Sequence, residues 1–528
     1  KRRDARPFAM MADSVEKIRK YAYVGEAEEG LLRSGQGPIV LLRKKDESGI
    51  AESVAEGVGC YGFMLCYSPV HWLVFEHFDG VMVMTSGNVS DEPLIKDNDE
   101  AVEKLGWIAD AFLMHNRDIY RQVDDSIAHV IEGQAVLIRR ARGYVPGPIV
   151  IGDSASGDIL ATGADLKNTF SIVKDNQLIC SEHIGDLEDG EVYRHYAESV
   201  EHFCGLFEVR PTVVACDLHP GYVSTNYARQ MEGVEIIEVQ HHWAHIAAVM
   251  AENNCRGEVI GLSCDGTGYG TDDAVWGFEC LRASLGDFRR LGHLSYFKLA
   301  GGDKASKQAI RPVMGLLVKA LGADGLGGYQ ELLDRIEPDR EVQRVVLEQI
   351  EKDINVVQTS SLGRVFDAVA AMAGVGSVNS FEAQLPMRLQ AAIDRGVEGS
   401  YDFEILRKEG GFEVCIDKMM LQAADDGLRG VRAGVIGAKF HNGIAEVLGA
   451  MAEEARGITG LETVTLGGGV FCNSYLLERA IMDLKKRKFK VLYNTLMPAN
   501  DGCVSVGQAA IAAYKTAKGK NDRELKCV

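Results

Sequence analysis

The pattern of apolar and polar positions predicts mixed α/β structure in the first part of the chain. Pro38–Leu42 and Gly80–Met84 are apolar runs bounded by polar residues, which is typical of buried strands. Ser14–Arg19 and Asp99–Leu105 carry apolar residues on a helical period. Residues 1–150 are therefore expected to form an α/β domain.

Three short strands are predicted next, at Ile159–Gly163, Thr169–Val173 and Leu178–Cys180. The polar segments between them, Asp165–Asn168 and Lys174–Gln177, have the composition of tight turns. Two hairpins in succession predict an antiparallel meander.

Pro, Gly, Ser and Asp are concentrated between these two regions, in Tyr144–Ile149 and Gly152–Asp158. This composition is typical of a joint between domains, so we place the boundary at residues 150–157. For a chain of 528 residues, about two to four domains are expected.

A strand, a glycine-rich turn and a paired strand recur in Val259–Cys264, Asp265–Gly270 and Ala274–Phe278. The repetition indicates two lobes of a nucleotide-handling fold, which we place at residues 158–256 and 257–528. Coincidence between two common hairpins is the alternative.

Two later segments are dominated by charge. Residues 331–355 alternate acidic and basic residues on a helical period, which predicts a solvent-exposed helix. The basic run Lys485–Lys490 is typical of a helix end. Lys and Arg number 57 against 76 Asp and Glu, so the net charge of −19 argues against a nucleic-acid partner.

The amino-acid composition narrows the class of protein further. Hydrophobic residues at 46% and charged residues at 25% are the proportions of globular proteins. The 12 cysteines include no C-x-x-C pair, which favours free thiols in a cytoplasm over a zinc ribbon or a disulfide framework. No apolar run reaches the ~20 residues of a membrane span, so no membrane partner is expected. The chain lacks an initiating Met, which indicates a fragment or a processed product.

The segment Gln240–Val249 carries the strongest chemical signal. On a helix, His241 and His245 are one turn apart and project from one face, where both can bind one metal ion. A zinc protease would have glutamate after the first histidine, and His242 stands there instead. A packed helix is the alternative, because Ala and Val flank the pair.

Two aspartates in glycine-flanked turns could complete the site. Asp265 precedes Gly266, and Asp501 lies in the C-terminal part, beside Asn500 and Gly502. Between Asn500 and Asp501, charge favours the aspartate as the ligand. Two histidines with two aspartates suit Fe(II), Zn(II) or Mn(II) and disfavour Cu(I), because no thiolate is included.

Glycines that follow buried strands could approach a phosphate or a sugar. Gly266 and Gly268 lie in the first such segment and Gly467–Gly469 form the second. Asn473 is predicted to cap a helix over Ser474–Lys486. A tight turn selected for packing is the alternative for these glycines.

Other polar residues are less specific. Lys167 and Asn168 at a hairpin tip could touch a phosphate, although such a tip is also typical of a solvated turn. The carboxylates of Asp367 and Glu382 could bind a ribose.

The first region combines a strand ending in hydroxyl and amide groups, Thr85–Ser90, with many basic residues. The basic residues are Lys1, Arg2, Arg3, Arg6, Arg117, Arg139, Arg140 and Arg142. This density of arginine in an acidic chain predicts a local anion site. Ion pairs with Asp124 and Asp125 are the alternative.

These motifs resemble a known family. The motifs are Lys1–Phe8, Thr85–Asn88, Arg139–Pro146, His241–His245, Asp265–Gly270 and Asn500–Gly502. Residues 1–150 resemble YrdC-type domains, and residues 159–515 resemble the two-lobed ASKHA (actin/Hsp70-like) fold of the tRNA threonylcarbamoylation enzymes. In this order the two resemble the hydrogenase maturation carbamoyltransferases of the HypF family.

The resemblance implies a role for individual residues. In the first domain ATP and a carbamate-derived group would be held by Lys1, Arg3, Ser86, Asn88, Arg139 and Arg142, with Lys1 and Arg142 catalytic. In the second, His241, His245, Asp265 and Asp501 would bind the metal, with both histidines catalytic, and Lys167, Glu382, Gly467, Gly468 and Asn473 would bind the nucleotide. The implied cofactors are ATP with Mg²⁺ and one Fe(II) or Zn(II).

The resemblance also implies a two-stage reaction. Carbamate and ATP would give carbamoyl-adenylate, and the C-terminal cysteine of a HypE-type acceptor protein would then displace AMP. Members of the family carry acylphosphatase-like and zinc-finger regions before this part, whereas this chain starts at Lys1. We therefore expect it to use carbamoyl phosphate slowly by itself.

Two other functional classes stay open. A small-molecule O-carbamoyltransferase would keep both sites and change only the acceptor groove. A non-enzymatic ASKHA nucleotide-binding module would need no metal at His241 and His245.

Overall fold

A computed structural model describes residues 6–46, 48–89, 92–152 and 155–525. Lys1 and Arg3, two of the predicted site residues, lie outside these ranges. The described part contains three β-sheets. None of its helices is both long enough and apolar enough to cross a bilayer.

The first region forms a six-stranded sheet in the order β4-β1-β3-β2-β5-β6. Its strands are β1 (Ala9–Ala12), β2 (Ile39–Arg43), β3 (Cys60–Leu65), β4 (Met82–Val83), β5 (Ile127–Ile131) and β6 (Gln134–Arg139). Its helices are α1 (Val15–Ile18), α2 (Glu26–Leu32), α3 (Pro69–Phe75) and α4 (Asn98–Leu105). Met10, Val40 and Phe63 pack in its core. The strands and helices predicted in this region are confirmed, although β4 is shorter than expected.

A second six-stranded sheet, in the order β12-β11-β8-β9-β10-β7, forms the next lobe. Its strands are β7 (Ile149–Val150), β8 (Ile159–Ala161), β9 (Ser171–Lys174), β10 (Gln177–Cys180), β11 (Val213–Asp217) and β12 (Glu235–Val239). Its helices are α5 (Gly190–Leu206), α6 (Val223–Arg229) and α7 (His241–Glu252). β8, β9 and β10 pair antiparallel, so the predicted meander is confirmed.

The last lobe is built on a larger mixed sheet, in the order β18-β19-β15-β14-β13-β20-β21, to which β16 and β17 attach. Its strands are β13 (Val259–Tyr269), β14 (Val275–Ala283), β15 (Phe288–Leu294), β16 (Phe297–Ala300), β17 (Val356–Thr359), β18 (Glu404–Lys408), β19 (Gly411–Cys415), β20 (Thr463–Gly467) and β21 (Lys490–Tyr493). Its helices are α8 (Lys304–Lys307), α9 (Ile310–Leu321), α10 (Gln330–Ile336), α11 (Arg340–Lys352), α12 (Leu362–Met372), α13 (Gln384–Ala392), α14 (Asp417–Leu428), α15 (Ala433–Thr459), α16 (Ser474–Lys486) and α17 (Val504–Leu525).

Helices α7 and α17 fill the space between the second and third sheets. The residues of α7 from His241 to Ala251 are all buried, as expected for a helix without a polar face. A Cβ on Gly507 of α17 would lie 1.9 Å from the Ala244 carbonyl oxygen. Glycine at this position therefore lets α17 approach α7 closely.

The prediction of one exposed helix over residues 331–355 is wrong. This segment forms α10 and α11, with Pro338 between them. Proline has no N–H to donate and clashes with the preceding turn, so a continuous helix is excluded here. One side of α11 is also buried, through Val346 and Ile350.

The expected glycine-rich turn at Asp265–Gly270 is also wrong. β13 continues through Asp265 as far as Tyr269, and its pairing with β14 shifts register between Cys264 and Gly268. Such an irregularity changes the direction of a strand locally while keeping it in the sheet.

Candidate active site

Helix α7 places His241 and His245 on one buried face. The side-chain oxygen of its N-cap, Gln240, accepts a hydrogen bond from Trp243 N (2.9 Å), and its amide nitrogen donates to the Tyr269 carbonyl (3.0 Å). The Nε2 atoms of the two histidines are 3.2 Å apart. The predicted spacing therefore brings both imidazoles to one point.

Asp265 and Asp501 reach the same point from two other elements, β13 and a 3-10 turn that begins at Asp501. Asp265 Oδ2 lies 2.9 Å from His245 Nε2 and 3.5 Å from His241 Nε2. Asp501 Oδ1 lies 3.6 Å and 3.7 Å from the same two atoms. One ligand atom from each of the four residues lies within 4.8 Å of the others.

This donor set fits a divalent metal ion. Asp265 Oδ2 is buried and accepts no hydrogen bond from the described residues. A buried carboxylate oxygen without a donor is unfavourable unless a cation neutralises it. Two imidazole nitrogens and two carboxylate oxygens suit Fe(II) or Zn(II).

The neighbouring charges keep both carboxyl groups ionised. Burial by itself would raise the pKa of Asp265, but the imidazoles of His241 and His245 beside it hold that pKa well below its usual value. Burial and the charge of Asp265 would raise the pKa of Asp501, yet the same two histidines lower it to about 2. Burial would lower the pKa of each imidazole, and the acidic groups around them raise it well above the usual value. Both carboxyl groups are therefore ionised at neutral pH, and a cation that binds between them would replace the imidazole protons that face them.

His242 does not face this cluster. Its Nδ1 lies 3.2 Å from the Gln240 amide nitrogen, and its ring is 6.0 Å from that of Trp276. Burial lowers its pKa well below the usual value, so it is neutral. A Cβ on Gly268 would lie 2.3 Å from the His242 ring, so packing against this ring by itself explains a glycine at position 268. The predicted role of Gly268 at a nucleotide stays a prediction.

Asn500 links the site to the first domain instead of facing the cluster. Its amide nitrogen donates to the Ile138 carbonyl (3.1 Å), and its side-chain oxygen accepts from Gly502 N (3.1 Å). Beside this bond, Leu137 N donates to the Thr495 carbonyl (3.1 Å). Strand β6 of the first domain is therefore hydrogen-bonded to the segment that leads into the 3-10 turn Asp501–Cys503, called the metal-facing turn below.

Lys167 and Glu382, both predicted to bind nucleotide, form an ion pair with each other. Burial alone would lower the pKa of Lys167, but the charges of Glu382 and Asp501 raise it. The ammonium group is thus electrostatically coupled to the metal-facing turn. A phosphate that displaced Glu382 would find a cation in this position.

The glycines at the end of β20 lie against the metal-bearing elements. Gly468 has a φ of 102°, and a Cβ there would lie 2.3 Å from the Cys264 carbonyl oxygen. A Cβ on Gly467 would lie 3.2 Å from the His245 carbonyl oxygen. The helix cap is confirmed: Asn473 accepts from Leu476 N (3.0 Å) at the start of α16.

Two polar side chains whose roles the sequence did not decide are buried inside the protein. Asn168 is buried and donates to the carbonyls of Thr162 and Ala164, so the solvated-tip alternative is wrong for this residue. Asp367 is buried and pairs with Arg364 at 2.6 Å. It is therefore not available to a ribose in this arrangement.

In the first domain the predicted arginines have carboxylate partners. Arg139 lies 3.0 Å from Asp124, and Arg142 lies 2.7 Å from Asp125. Arg142 also donates to the Gly37 carbonyl (2.7 Å). The ion pairs of the alternative interpretation are thus present.

The strand-end motif of the first domain is held by its own hydrogen bonds. Ser86 Oγ donates to Asn88 Oδ1 (2.8 Å), and the Asn88 amide donates to the Glu92 carbonyl (2.8 Å). A phosphate-binding role for these two residues stays a prediction.

Two neighbours of the histidines were missed by the sequence interpretation. Asp217 Oδ2 lies 2.8 Å from His241 Nδ1, and Cys503 Sγ lies 3.4 Å from His245 Nδ1. Asp217 is the last residue of β11, and a carboxylate at the end of a buried strand was the signal that could have identified it.

Comparison with known proteins gives matches to three family models. The Sua5, YciO and YrdC model, described as telomere recombination, matches residues 1–141. The HypF Kae1-like domain matches residues 154–252, and the second subdomain of the carbamoyltransferase Kae1-like domain matches residues 261–508. The predicted fold class, a YrdC-like α/β domain followed by a two-lobed carbamoyltransferase domain, is confirmed.

Whole-chain relatives agree with these matches. Carbamoyltransferase HypF of Synechocystis sp. is 36% identical over 522 residues, covering 96% of this chain and 67% of the relative. Carbamoyltransferase HypF of Rhizobium leguminosarum bv. viciae is 36% identical over 521 residues, covering 96% of this chain and 66% of the relative. This chain thus spans about two thirds of the length of these relatives.

Two solved structures share the architecture. Full-length HypF in a phosphate- and nucleotide-bound form has a TM-score of 0.93 and 43% identity, covering 97% of this chain and 80% of that chain. HypF of T. kodakarensis has a TM-score of 0.90 and 34% identity, covering 98% of this chain and 68% of that chain.

Proposed function

This chain belongs to the HypF family of carbamoyltransferases, and we propose that it forms carbamoyl-adenylate from ATP and transfers the carbamoyl group to a protein thiol. The acceptor is the C-terminal cysteine of a HypE-type protein, whose modified cysteine supplies the cyanide ligand of [NiFe]-hydrogenase. The free thiols of the described cysteines favour a reducing compartment, the cytoplasm.

The observation that carries this proposal is the attachment of the metal-facing turn to the first domain. Asp501 follows Asn500, which is bonded to Ile138, and Ile138 precedes Arg139 of the predicted ATP site. A reactive intermediate made at the first site would therefore have the second site close by. A short path between the two sites limits the time for which a labile adenylate is exposed to water.

The first stage is assigned to the first domain. A carbamate oxygen attacks the α-phosphorus of ATP, the new O–P bond replaces the bond to the β-phosphate, and pyrophosphate leaves with Mg²⁺. Arg139 and Arg142, together with Lys1 and Arg3, stabilise the charge that moves onto the leaving group. Ser86 and Asn88 hold the carbamate-derived group.

The second stage is assigned to the two-lobed domain. His241, His245, Asp265 and Asp501 would hold an Fe(II) or Zn(II), which when bound would supply a Lewis acid for the carbamoyl carbonyl. Lys167 and Glu382, with Gly266, Gly467, Gly468 and Asn473 nearby, bind the adenylate. The acceptor thiolate attacks the carbamoyl carbon, a C–S bond forms, and the C–O bond to AMP breaks.

The test combines ATP, Mg²⁺, carbamoyl phosphate and a HypE-type acceptor with this chain. We expect AMP release that depends on the acceptor cysteine, together with the mass of one carbamoyl group on that cysteine. AMP release that follows a small hydroxyl compound instead would indicate an O-carbamoyltransferase. Nucleotide binding without any metal or turnover would indicate a binding module.

The source of carbamate is part of the same proposal. We expect slow consumption of carbamoyl phosphate by this chain and faster consumption when an acylphosphatase-like domain is added in trans. Equal rates with and without that domain would contradict this expectation.

A further inference from the structure

We propose that Asp217 is a positioning residue for the metal site, holding His241 so that its Nε2 faces the ion, and that Cys503 holds His245 in the same way but more weakly. This inference rests on the proposed function, because it requires the four-residue cluster to bind a metal ion.

The Asp217 carboxylate is fixed on both oxygens. Oδ1 accepts from His219 N (2.8 Å), and Oδ2 lies 2.8 Å from His241 Nδ1. The side chains of Asp217 and His241 have no exposed surface. The Thr225 hydroxyl also donates to the Asp217 carbonyl (3.1 Å), which ties the end of β11 to α6. The carboxylate therefore projects from the end of a strand that is tied to a helix, and both of its oxygens have a partner.

This contact determines which nitrogen of His241 carries the proton. The Asp217 carboxylate oxygen accepts this hydrogen bond, so Nδ1 is the donor and carries the hydrogen. Nε2 is then the nitrogen that can exchange its proton for a metal ion, and it is the atom that faces Asp265 and Asp501. A carboxylate on the far nitrogen also makes an imidazole a stronger metal donor.

His245 has a weaker partner in the equivalent position. Cys503 Sγ lies 3.4 Å from its Nδ1, and sulfur is a weak hydrogen-bond acceptor. Cys503 is buried and ends the same 3-10 turn that begins at Asp501. It therefore orients the imidazole while contributing less to its donor strength.

His242 provides an internal comparison on the same helix. Its Nδ1 faces the amide nitrogen of Gln240 (3.2 Å), and it has no carboxylate or thiol contact among the described residues. Its Nε2 has no hydrogen-bond partner there and is not part of the cluster. Within α7, each of the two histidines whose Nε2 faces the metal position has a carboxylate or a thiol beside its Nδ1.

The sharpest test is Asp217→Asn. An amide offers one acceptor oxygen in place of two, so either His219 N or His241 Nδ1 loses its acceptor. We expect the affinity for Zn²⁺ and Co²⁺, measured by competition with a chromophoric chelator, to fall by about 10- to 100-fold. The visible absorption of the Co²⁺-loaded protein should change, because the geometry of one ligand changes. Cys503→Ser should weaken the affinity by less than Asp217→Asn.

Asp165→Asn is the matched control. Asp165 is also a buried carboxylate, and it accepts from Val223 N (2.7 Å) and Ser224 N (2.9 Å) at the start of α6. It has no hydrogen bond or ion pair to His241 or His245, so Asp165→Asn should keep the wild-type affinity and Co²⁺ spectrum. If it loses metal as strongly as Asp217→Asn, loosening of α6 explains both results and the inference is wrong.

The remaining outcomes separate this inference from the proposed function. Wild-type affinity and an unchanged Co²⁺ spectrum for Asp217→Asn would overturn the inference alone. A wild-type protein that binds no metal would overturn the metal site and with it this inference.

If circular dichroism shows that Asp217→Asn does not fold, Asp217→Glu replaces it, because it keeps the carboxylate but displaces it by one methylene. Its affinity must then fall below wild type, and an equal affinity would refute the positioning role.

Discussion

The two candidate reaction sites are built in opposite ways. The arginines of the first domain form ion pairs in which Arg139 and Arg142 keep 30% and 24% of their side chains exposed. In the metal cluster the histidines have no exposure, and Asp265 and Asp501 keep 10% and 12%. An open ion pair can exchange its carboxylate for a phosphate at low cost, whereas a buried cluster of charges must be completed by a specific ion. The first site is therefore suited to ligands that enter and leave, and the second to a resident metal.

The largest effect that would separate the two sites is expected from His245→Ala. Loss of a metal ligand should reduce carbamoyl transfer to background, while pyrophosphate formation in the first domain continues. Pyrophosphate release and the mass added to the acceptor, measured in one reaction, check this. His242→Gln is the control and should retain metal and transfer. Unchanged metal content in His245→Ala, or loss of pyrophosphate formation with an intact fold, would contradict the two-site scheme.

Arg142→Ala tests the other site, in the first domain, by removing an arginine that is predicted to act in pyrophosphate formation. A guanidinium that stabilises transition-state charge contributes on the order of 10²-fold or more in rate, so carbamate-dependent pyrophosphate formation should fall by that factor. All later steps should fall with it, while metal content stays at the wild-type level. The control is Arg33→Ala, which removes an exposed arginine that pairs with Glu29 at 2.8 Å. A similar loss in both variants would indicate a general charge effect.

Gly507→Ala tests whether the metal site depends on close helix packing. The added Cβ would meet the Ala244 carbonyl oxygen at 1.9 Å, so α17 must move away from α7. Overpacking of this kind destabilises a fold by roughly 1–3 kcal/mol, which denaturant unfolding can measure. Transfer should suffer more than pyrophosphate formation. Gly457→Ala in α15 is the control, because nothing lies within 4 Å of its Cβ, and it should be neutral or slightly stabilising.

The smallest effect is expected from Asn500→Ala, which weakens the contact between the first domain and the metal-facing turn. This variant tests whether the two sites must be linked for efficient transfer. The variant loses the bond to the Ile138 carbonyl, a change of about 0.5–1.5 kcal/mol. Both half-reactions should persist, but a smaller fraction of the AMP formed should be matched by carbamoylated acceptor. Lys485→Ala removes an exposed contact with Glu132 at the same interface and should leave that fraction unchanged. An unchanged fraction in Asn500→Ala would show that the link does not aid transfer.

Local sequence patterns predicted much of the fold and part of the site. The helical spacing of His241 and His245, the cap at Asn473 and the meander after residue 158 follow from contacts between residues close in sequence. The predicted turn at Asp265–Gly270 was wrong because its glycines continue a strand, where Gly268 makes room for His242. Glycine permits both a turn and close packing, and only the neighbours of the segment decide between them.

The sequence by itself determined which groups are available to a metal and a nucleotide, because donor chemistry belongs to residue type. Charge already favoured Asp501 over Asn500 as the ligand, and the structure agrees. Only the tertiary structure decided that Asp217 and Cys503 contact the Nδ1 atoms of the two histidines. Asp217 and His241 are 24 positions apart, and Cys503 and His245 are 258 positions apart. Contacts over such separations depend on how α7, α17 and the two sheets pack, which no local pattern of hydrophobic and polar residues encodes.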